Sequence, residues 1–312
     1  MISSPWLLLA LNVVVTSVGM AVLWAVVMRG DDASAVDVAW SYGLGAVVLL
    51  DAALGSGAVV HRVVLAVLVV AWSLRLGTHL LLDRVLHATQ EDGRYQALRR
   101  KWGDKVKPRF FVFFQAQALT IVVFSVAFLP TVLNQRAHLA VVEWIGAVAI
   151  AAGVAGEATA DRQLKAWRTD PANKGRSCRG GLWRFSRHPN YFFESVTWVG
   201  VTLVALGASW GWVAVVAPAT LLTLLFTVTG LPATEAQSIR SRGDDYRRYQ
   251  RETSAFIPWF PKRRARSEPP PLRSSASGFA DPGVTAAAAP PGGVRSVTPT
   301  DSPSGTTSTD QD

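Results

Sequence analysis

Long runs of apolar residues constrain this chain more than any other feature of its 312 residues. The first run, Trp6 to Met28, would span about 35 Å as an α-helix, enough to cross the roughly 30 Å hydrocarbon core of a bilayer. Six further runs have the same character and lie at 36–54, 57–82, 110–133, 139–160, 192–207 and 210–230. The pattern predicts an all-α, polytopic membrane protein with about seven transmembrane helices.

The composition agrees with a membrane location. Charged residues make up only 17% of the chain, against about 25% in an ordinary soluble domain. The net charge of +9 comes largely from the segments 84–109, 161–188 and 240–262, whereas the loops at the other end of the predicted helices contain few Lys or Arg residues. Since Lys and Arg accumulate in cytoplasmic loops, this bias predicts a plasma-membrane protein with its N-terminus outside and its C-terminus in the cytoplasm. It also explains the positive charge without a nucleic-acid partner.

Two regions differ in composition. Residues 1–262 form the predicted membrane domain, and residues 263–312 form a cytoplasmic tail rich in Pro, Ser, Thr and Ala that we expect to be disordered. The chain has no Walker A, HExxH or G-x-S-x-G sequence. Its five histidines show no metal-ligand spacing and Cys178 is its single cysteine, so we expect no metal site. Nothing in the sequence identifies a protein partner.

The segment from Gly156 to Glu194 is the densest polar part of the membrane domain. Asp161 and Arg168 are seven positions apart, and they share one face if the fifth apolar run continues as a helix. These two side chains are therefore the first candidates for a binding site.

The motif at 187–191 (RHPNY) predicts a helix start, since proline suits the first helical turn. The free N–H groups of such a start form a natural phosphate-binding position, to which Arg187 adds a permanent charge. Asn190 and Glu194 lie one turn apart, with Glu194 inside the membrane, where ionisable groups are costly and commonly functional. Structural roles are alternatives: Arg187 as a membrane anchor, Tyr191 as an interface aromatic, and Glu194 as the ion-pair partner of Arg187.

A further polar group follows the last apolar run. Glu235 and Arg242 are seven residues apart, and Tyr246 and Tyr249 are three apart, so a helical segment would present each pair on one face. We expect this group to form one side of a cytoplasmic pocket. A solvated helix with interfacial aromatic residues is the alternative.

The sequence GLWRFSRHPNYFFE at 181–194 resembles the signature of the steroid 5α-reductase-like membrane family, in particular its bacterial branch, DUF1295. Weaker matches extend the resemblance over about residues 5–262, and they lie at 37–40, 75–95, 115–117, 157–168 and 235–259.

This resemblance implies a seven-helix protein that holds NADPH in a cytoplasm-facing pocket and reduces a carbon–carbon double bond conjugated to a carbonyl group. The implied substrate is an apolar, lipid-like molecule that reaches the site from the bilayer. The resemblance assigns cofactor contacts to Asp161, Arg168, Arg187, His188, Asn190, Tyr191, Glu194, Glu235, Arg242, Tyr246 and Tyr249. The family's catalytic Glu and Tyr have no clear counterpart, and the candidates for catalysis are Asp37, His79 and Glu194.

Two other classes of protein remain as alternatives. Membrane proteins resembling isoprenylcysteine carboxyl methyltransferases also carry an R-H-P-x-Y motif, and they bind S-adenosylmethionine. Asn190 and Glu194 within RHPNYxxE favour the reductase, and Thr234 and Ala236 flank Glu235 where the methyltransferase pattern has a second Glu. A lipid-binding membrane protein without enzymatic activity is the third class.

Overall fold

The computed structural model describes residues 1–30, 32–88, 90–228 and 230–262, so the predicted tail at 263–312 lies outside the described residues. Helices dominate the described part, and no sheet forms within it, which confirms the all-α prediction. The α-helices are α1 (Pro5–Gly30), α2 (Ala35–Leu54), α3 (Val59–Leu81), α4 (Gly93–Trp102), α5 (Val106–Ser125), α6 (Leu129–Val132), α7 (Val141–Thr169), α8 (Pro189–Ala205), α9 (Val216–Thr223), α10 (Leu231–Arg242) and α11 (Asp244–Glu252).

Six helical segments in the described residues are long and apolar enough to cross a membrane, and they are Pro5–Gly30, Ala35–Leu54, Val59–Leu86, Gly93–Ser125, Val141–Thr169 and Gly211–Arg242. The protein is therefore a multi-pass membrane protein. The remaining predicted span corresponds to α8, whose 17 residues reach about 26 Å. It lies in the chain between two of the six segments and packs along α7.

The polar segments between the membrane helices lie at the two ends of the bundle. We call one the basic end, formed by residues 82–110, 170–188 and 231–262, and the other the opposite end, formed by residues 55–58, 133–140 and 206–210. At the opposite end, His61 joins α3 to α7, because its Nδ1 lies 2.7 Å from Glu143 Oε1. The other ring nitrogen of His61 lies 2.9 Å from the carbonyl oxygen of Arg136, so the buried ring is held on both sides.

Aromatic side chains fill the centre of the bundle. Trp72 and Trp198 are almost completely buried, and their rings meet edge to face with centroids 5.2 Å apart. Phe124 lies 4.5 Å from Trp198 and 5.6 Å from Trp40. Each such contact contributes about 0.5–1.5 kcal/mol beyond the burial of area. The cluster ties together α2, α3, α5 and α8 beneath the basic end.

Glycines allow α7 and α8 to pack closely. A Cβ atom on Gly146 would lie 2.6 Å from the carbonyl oxygen of Gly200, and one on Gly153 would lie 2.8 Å from that of Phe193. Gly156 packs in the same way against the ring of Phe193. Small residues at helix interfaces let backbones approach in membranes, where lipid provides little hydrophobic drive for association. The contact aligns the basic-end halves of α7 and α8, which carry the polar motif residues.

We predict that Gly153→Ala destabilises the bundle. The added methyl group would overlap the backbone of α8, and such overpacking costs about 1–3 kcal/mol. The measurement is the thermal unfolding midpoint of the detergent-purified protein. Gly19→Ala in α1 is the matched control, since nothing lies within 4 Å of its added Cβ atom. An equal effect of both substitutions would contradict close α7–α8 packing.

Candidate functional site

A pocket of about 250 Å³ opens at the basic end of the bundle. Helices α3, α7, α8, α10 and α11 all contribute to its wall. It gathers most of the residues predicted from the sequence, namely His79, Asp161, Arg168, Arg187, His188, Asn190, Tyr191, Arg242, Tyr246 and Tyr249. Residues far apart in the sequence therefore converge on one concave, polar surface, the usual geometry of a ligand site.

Helix α7 supplies one wall of the pocket. It continues to Thr169, so Asp161 and Arg168 share a face as predicted, and both line the pocket. The Asp161 carboxylate accepts a hydrogen bond from Arg75 of α3, and its Oδ2 lies 3.8 Å from His79 Nε2. Asn190 of α8 donates from its Nδ2 to Asp161 Oδ1 at 3.4 Å. A single carboxylate thus connects three helices at the pocket wall.

The RHPNY motif lies at the start of α8, where Pro189 takes the first helical position as predicted. The Arg187 guanidinium pairs with Glu235 Oε1 at 2.6 Å and donates to the carbonyl oxygens of Thr253 and Gln250. The predicted alternative of an ion pair between Arg187 and Glu194 is wrong, because Arg187 turns toward α10 instead. Arg187 is only 10% exposed, so its charge is neutralised inside the protein.

His188 and Tyr191 form a flat stacked pair beside this ion pair. Their ring centroids are 5.3 Å apart and their planes differ by 5°. His188 Nε2 lies 3.4 Å from Glu235 Oε1, which places a second donor on the same carboxylate. Glu235 therefore lies behind the pocket wall and orients two motif residues that line it.

The segment 244–260, which we call the C-terminal strap, closes the basic end. Its backbone pairs with the RHPNY region, since the Arg187 N–H donates to Ser254 at 2.9 Å and the Trp259 N–H donates to Phe185 at 2.9 Å. The Tyr249 hydroxyl donates to the carbonyl oxygen of Trp183. The strap thereby presents the buried Tyr246 and Tyr249 to the pocket.

Tyr246, Tyr249 and Asp245 on the strap have shifted pKa values, and burial raises that of Tyr249 most strongly. Burial and the nearby Glu235 carboxylate raise the pKa of Tyr246 to about 12, so its phenol stays protonated at neutral pH. Burial acts to raise the pKa of the Asp245 carboxyl group. Hydrogen bonds from Ser177 and the positive charge of Arg179 outweigh burial, so the pKa of Asp245 is lowered. The backbone N–H of Ser177 donates to Asp245 Oδ2 at 2.7 Å, which anchors the strap to the preceding loop.

Two arginine side chains of the pocket, Arg168 and Arg242, have no carboxylate at ion-pairing distance in the described part of the chain. Among the described residues, Arg168 forms no ion pair, and Arg242 contacts only the Ser238 hydroxyl at 3.5 Å and the Tyr246 ring. A second pocket of about 290 Å³ shares these two arginines and adds Lys174 and Arg176. The two pockets adjoin at these arginines and form one continuous surface. Arg and Lys side chains outnumber Asp83, Asp161 and Asp170 in its lining, so the surface is cationic and suits an anionic ligand.

Two of the predicted catalytic residues lie outside the pocket lining. The Glu194 carboxylate is 8% exposed and accepts indole N–H bonds from Trp72 at 3.0 Å and Trp198 at 2.9 Å. Asp37 accepts hydrogen bonds from Arg84, Arg94 and Tyr95, so it belongs to an ion cluster at the start of α2 and lies behind Arg84. Among the three catalytic candidates, His79 is the one that reaches the pocket.

Sequence reasoning did not select Arg75 and Glu157 as site residues. Arg75 Nη1 lies 2.7 Å from Glu157 Oε1, and the same guanidinium binds Asp161. The available signal was an arginine inside an apolar run, since ionisable groups within membrane spans usually have internal partners. Within the described residues, no group of three or more His, Cys, Asp or Glu side chains is arranged to hold a metal ion.

A family model described as "Protein of unknown function (DUF1295)" matches residues 23–253. The match covers most of the chain, so the protein belongs to the DUF1295 family, as its sequence predicted. No curated protein and no solved structure matches the chain. The relation to steroid 5α-reductases stays a prediction.

We predict that Glu235→Gln destabilises the basic end. The substitution leaves the Arg187 guanidinium buried without a carboxylate, and because Glu235 is partly exposed we expect a cost of about 1–3 kcal/mol. The thermal unfolding midpoint measures the effect. Asp244→Asn removes a fully exposed carboxylate nearby and is the control, for which we expect little change. Equal midpoints for both variants would mean that the buried ion pair does not hold the strap.

We predict that Tyr246 makes the fold sensitive to strong alkali. The pKa of Tyr246 is about 12 in the folded protein and about 10 in an unfolded chain. The buried, protonated phenol therefore contributes its full stabilisation below a pH of about 10, and this contribution is lost as the pH rises through about 12. The loss amounts to roughly 2–3 kcal/mol. Unfolding midpoints of the wild type and Tyr246→Phe, compared across this alkaline range, measure it. A pH dependence as steep in the variant as in the wild type would refute this role.

Proposed function

We propose that the protein is an integral-membrane oxidoreductase that uses NADPH to reduce a carbon–carbon double bond conjugated to a carbonyl group in a lipid or steroid-like molecule. The observation that supports it is the continuous cationic surface of the two pockets, with Arg168 and Arg242 at their junction. NADPH carries phosphate groups at two separate places, and unpaired guanidinium groups are strong phosphate ligands. Together the pockets fall in the range of roughly 300–1,000 Å³ that ligand sites occupy.

Charge favours NADPH over S-adenosylmethionine. S-adenosylmethionine has no phosphate and carries a sulfonium cation, an ammonium group and one carboxylate, so its net charge is positive. A site with two unpaired arginines repels such a ligand, whereas it attracts a dinucleotide with several negative charges. The same surface argues against methyl transfer as the reaction of this pocket.

The residues of the first pocket suit the chemistry of the proposed reaction. NADPH, when bound, supplies the hydride that adds to the double bond. Asp161 and Asn190 offer an acceptor and a donor that match a carboxamide, and the His188–Tyr191 pair offers a flat surface for a ring. Negative charge on a carbonyl oxygen needs a nearby proton donor, and the protonated Tyr246 phenol and the His79 ring both line the pocket.

The proposed location follows from the same charge distribution. Basic loops surround the pocket, and such loops lie in the cytoplasm, where NADPH is available. We therefore place the protein in the plasma membrane with the basic end facing the cytoplasm, the N-terminus outside and the C-terminus inside. The apolar substrate enters from the bilayer that surrounds the helices.

We predict that NADPH stabilises the purified protein and that S-adenosylmethionine does not. A ligand at 100 times its dissociation constant adds about 2.7 kcal/mol of apparent stability. The measurement is the thermal unfolding midpoint with NADPH, NADH or S-adenosylmethionine. Arg168→Ala and Arg242→Ala should each weaken NADPH binding roughly 10–100-fold, because each removes a charged hydrogen-bond donor.

Arg247→Ala is the matched control for these two variants. Arg247 lies at the same end of the bundle, is largely exposed and lines neither pocket, so its loss should leave NADPH affinity unchanged. Stabilisation by S-adenosylmethionine alone would replace the reductase with a methyltransferase. The absence of any ligand effect would favour a lipid-binding protein without enzymatic activity.

A further inference from the structure

A cluster of three carboxyl groups lies directly beneath the first pocket, the one lined by Asp161 and Asn190. Glu157 and Asp161 stand one turn apart on α7, and Glu194 faces them from α8. Glu157 is 5% exposed and Glu194 is 8% exposed, so the two glutamates are removed from solvent. The Arg75 guanidinium is the cation in contact with this cluster among the described residues.

One carboxylate oxygen of Glu157 lacks a hydrogen-bond partner among the described residues. Its Oε1 pairs with Arg75 at 2.7 Å, but its Oε2 is buried and has no hydrogen-bond donor among the described groups. The register of the two helices places Glu194 opposite Glu157, because Asp161 meets Asn190 at one end of this stretch and Gly153 packs against Thr197 at the other. Two ionised carboxylates would repel each other there, whereas one proton between them turns the contact into a hydrogen bond.

The contacts of Glu194 supply no positive charge. Its two oxygens accept indole N–H bonds from Trp72 and Trp198, which are neutral donors. The single Arg75 cation cannot neutralise the two buried glutamates and the half-buried Asp161 together, and unpaired charge away from solvent is costly. One retained proton reduces that excess and satisfies Glu157 Oε2 at the same time.

We propose that Glu157 and Glu194 hold one proton between them at neutral pH and form a proton store for the pocket above. Asp161 connects the two, because it lines the pocket and shares the Arg75 guanidinium with Glu157. Asn190, one turn before Glu194 on α8, binds Asp161 and also lines the pocket. The store is therefore one helical turn from the pocket on both α7 and α8.

A proton leaving the store breaks one carboxyl O–H bond and leaves a second carboxylate beside Arg75. Reprotonation from solvent through the pocket restores the original state. In the proposed reduction, which this step presumes, hydride and proton together add two hydrogen atoms across the double bond, and the store supplies the proton. The charged or titratable groups that face the store are Arg75 and His79 on α3 and Asp161 on α7.

Infrared spectroscopy of the full-length protein in lipid nanodiscs, without any added ligand, tests the shared proton. A protonated carboxyl group has a C=O stretching band that is separate from the carboxylate bands and shifts in D₂O. The difference spectrum between wild type and Glu157→Gln at neutral pH should contain one such band. Glu194→Gln should remove the same band, since the remaining carboxyl ionises beside Arg75.

Glu143→Gln is the matched control, because Glu143 is a buried glutamate on α7 at the opposite end and pairs with His61. That variant should retain the band, while other buried acids such as Asp51 cancel in the difference spectra. If one of the two Gln variants does not fold, the other decides the question, and its difference spectrum should contain the same band. The absence of a carboxylic acid band in the wild type, or its survival in both Gln variants, would overturn the proposal.

These experiments can contradict the shared proton without contradicting the proposed reduction, and the reverse also holds. The infrared band is measured without NADPH, so a protein that does not bind NADPH can still show the shared proton. A protein that binds NADPH without the band would keep the proposed reduction and would require another proton donor, for which Tyr246 and His79 are the pocket residues available.

Discussion

The close contact of α7 with α8 determines where everything else at the basic end can lie. Gly146, Gly153 and Gly200 remove the side chains that would otherwise separate the two helices, so the backbones meet directly. Because the helices run side by side to the basic end, Asp161 of α7 reaches Asn190 of α8. Helix α3 then closes on this pair through Arg75, and α10 and α11 complete the remaining wall. The site is thus a consequence of helix packing in the membrane, and its loops add the final contacts.

Arginines at the basic end have two different physical roles. Arg187 is buried, paired with Glu235 and bound to two backbone carbonyls, so it holds the strap in place. Arg168 and Arg242 have no carboxylate partner in the described part of the chain, and they face the pockets. A paired arginine contributes structure, whereas an unpaired one contributes an electric field that an anionic ligand can use. Sequence position alone does not separate these roles, since all three lie in basic segments.

Local patterns in the sequence predicted the elements that carry the site. Spacing placed Asp161 and Arg168 on one helical face, and proline marked the start of α8. Long-range partners were beyond such reasoning, because Arg187 and Glu235 are 48 positions apart and no spacing rule joins them. The end of α5 was also predicted too late: the apolar run reaches residue 133, but the helix stops at Ser125, before a short helix with Pro130 in its first turn. Hydropathy measures burial in lipid and does not register such a break, which backbone hydrogen bonding determines.

The C-terminal strap has a consequence for how the protein is made. Its residues are the last of the described chain to leave the ribosome, yet they supply Tyr246, Tyr249 and the backbone partners of Arg187. The membrane helices are therefore synthesised, and can be inserted, before the pocket has a complete wall. Assembly has two stages, in which the lipid environment first selects the helices and the strap then docks onto a finished bundle. A chain interrupted at Gly243 would reach the membrane without the pocket wall that Tyr246 and Tyr249 form.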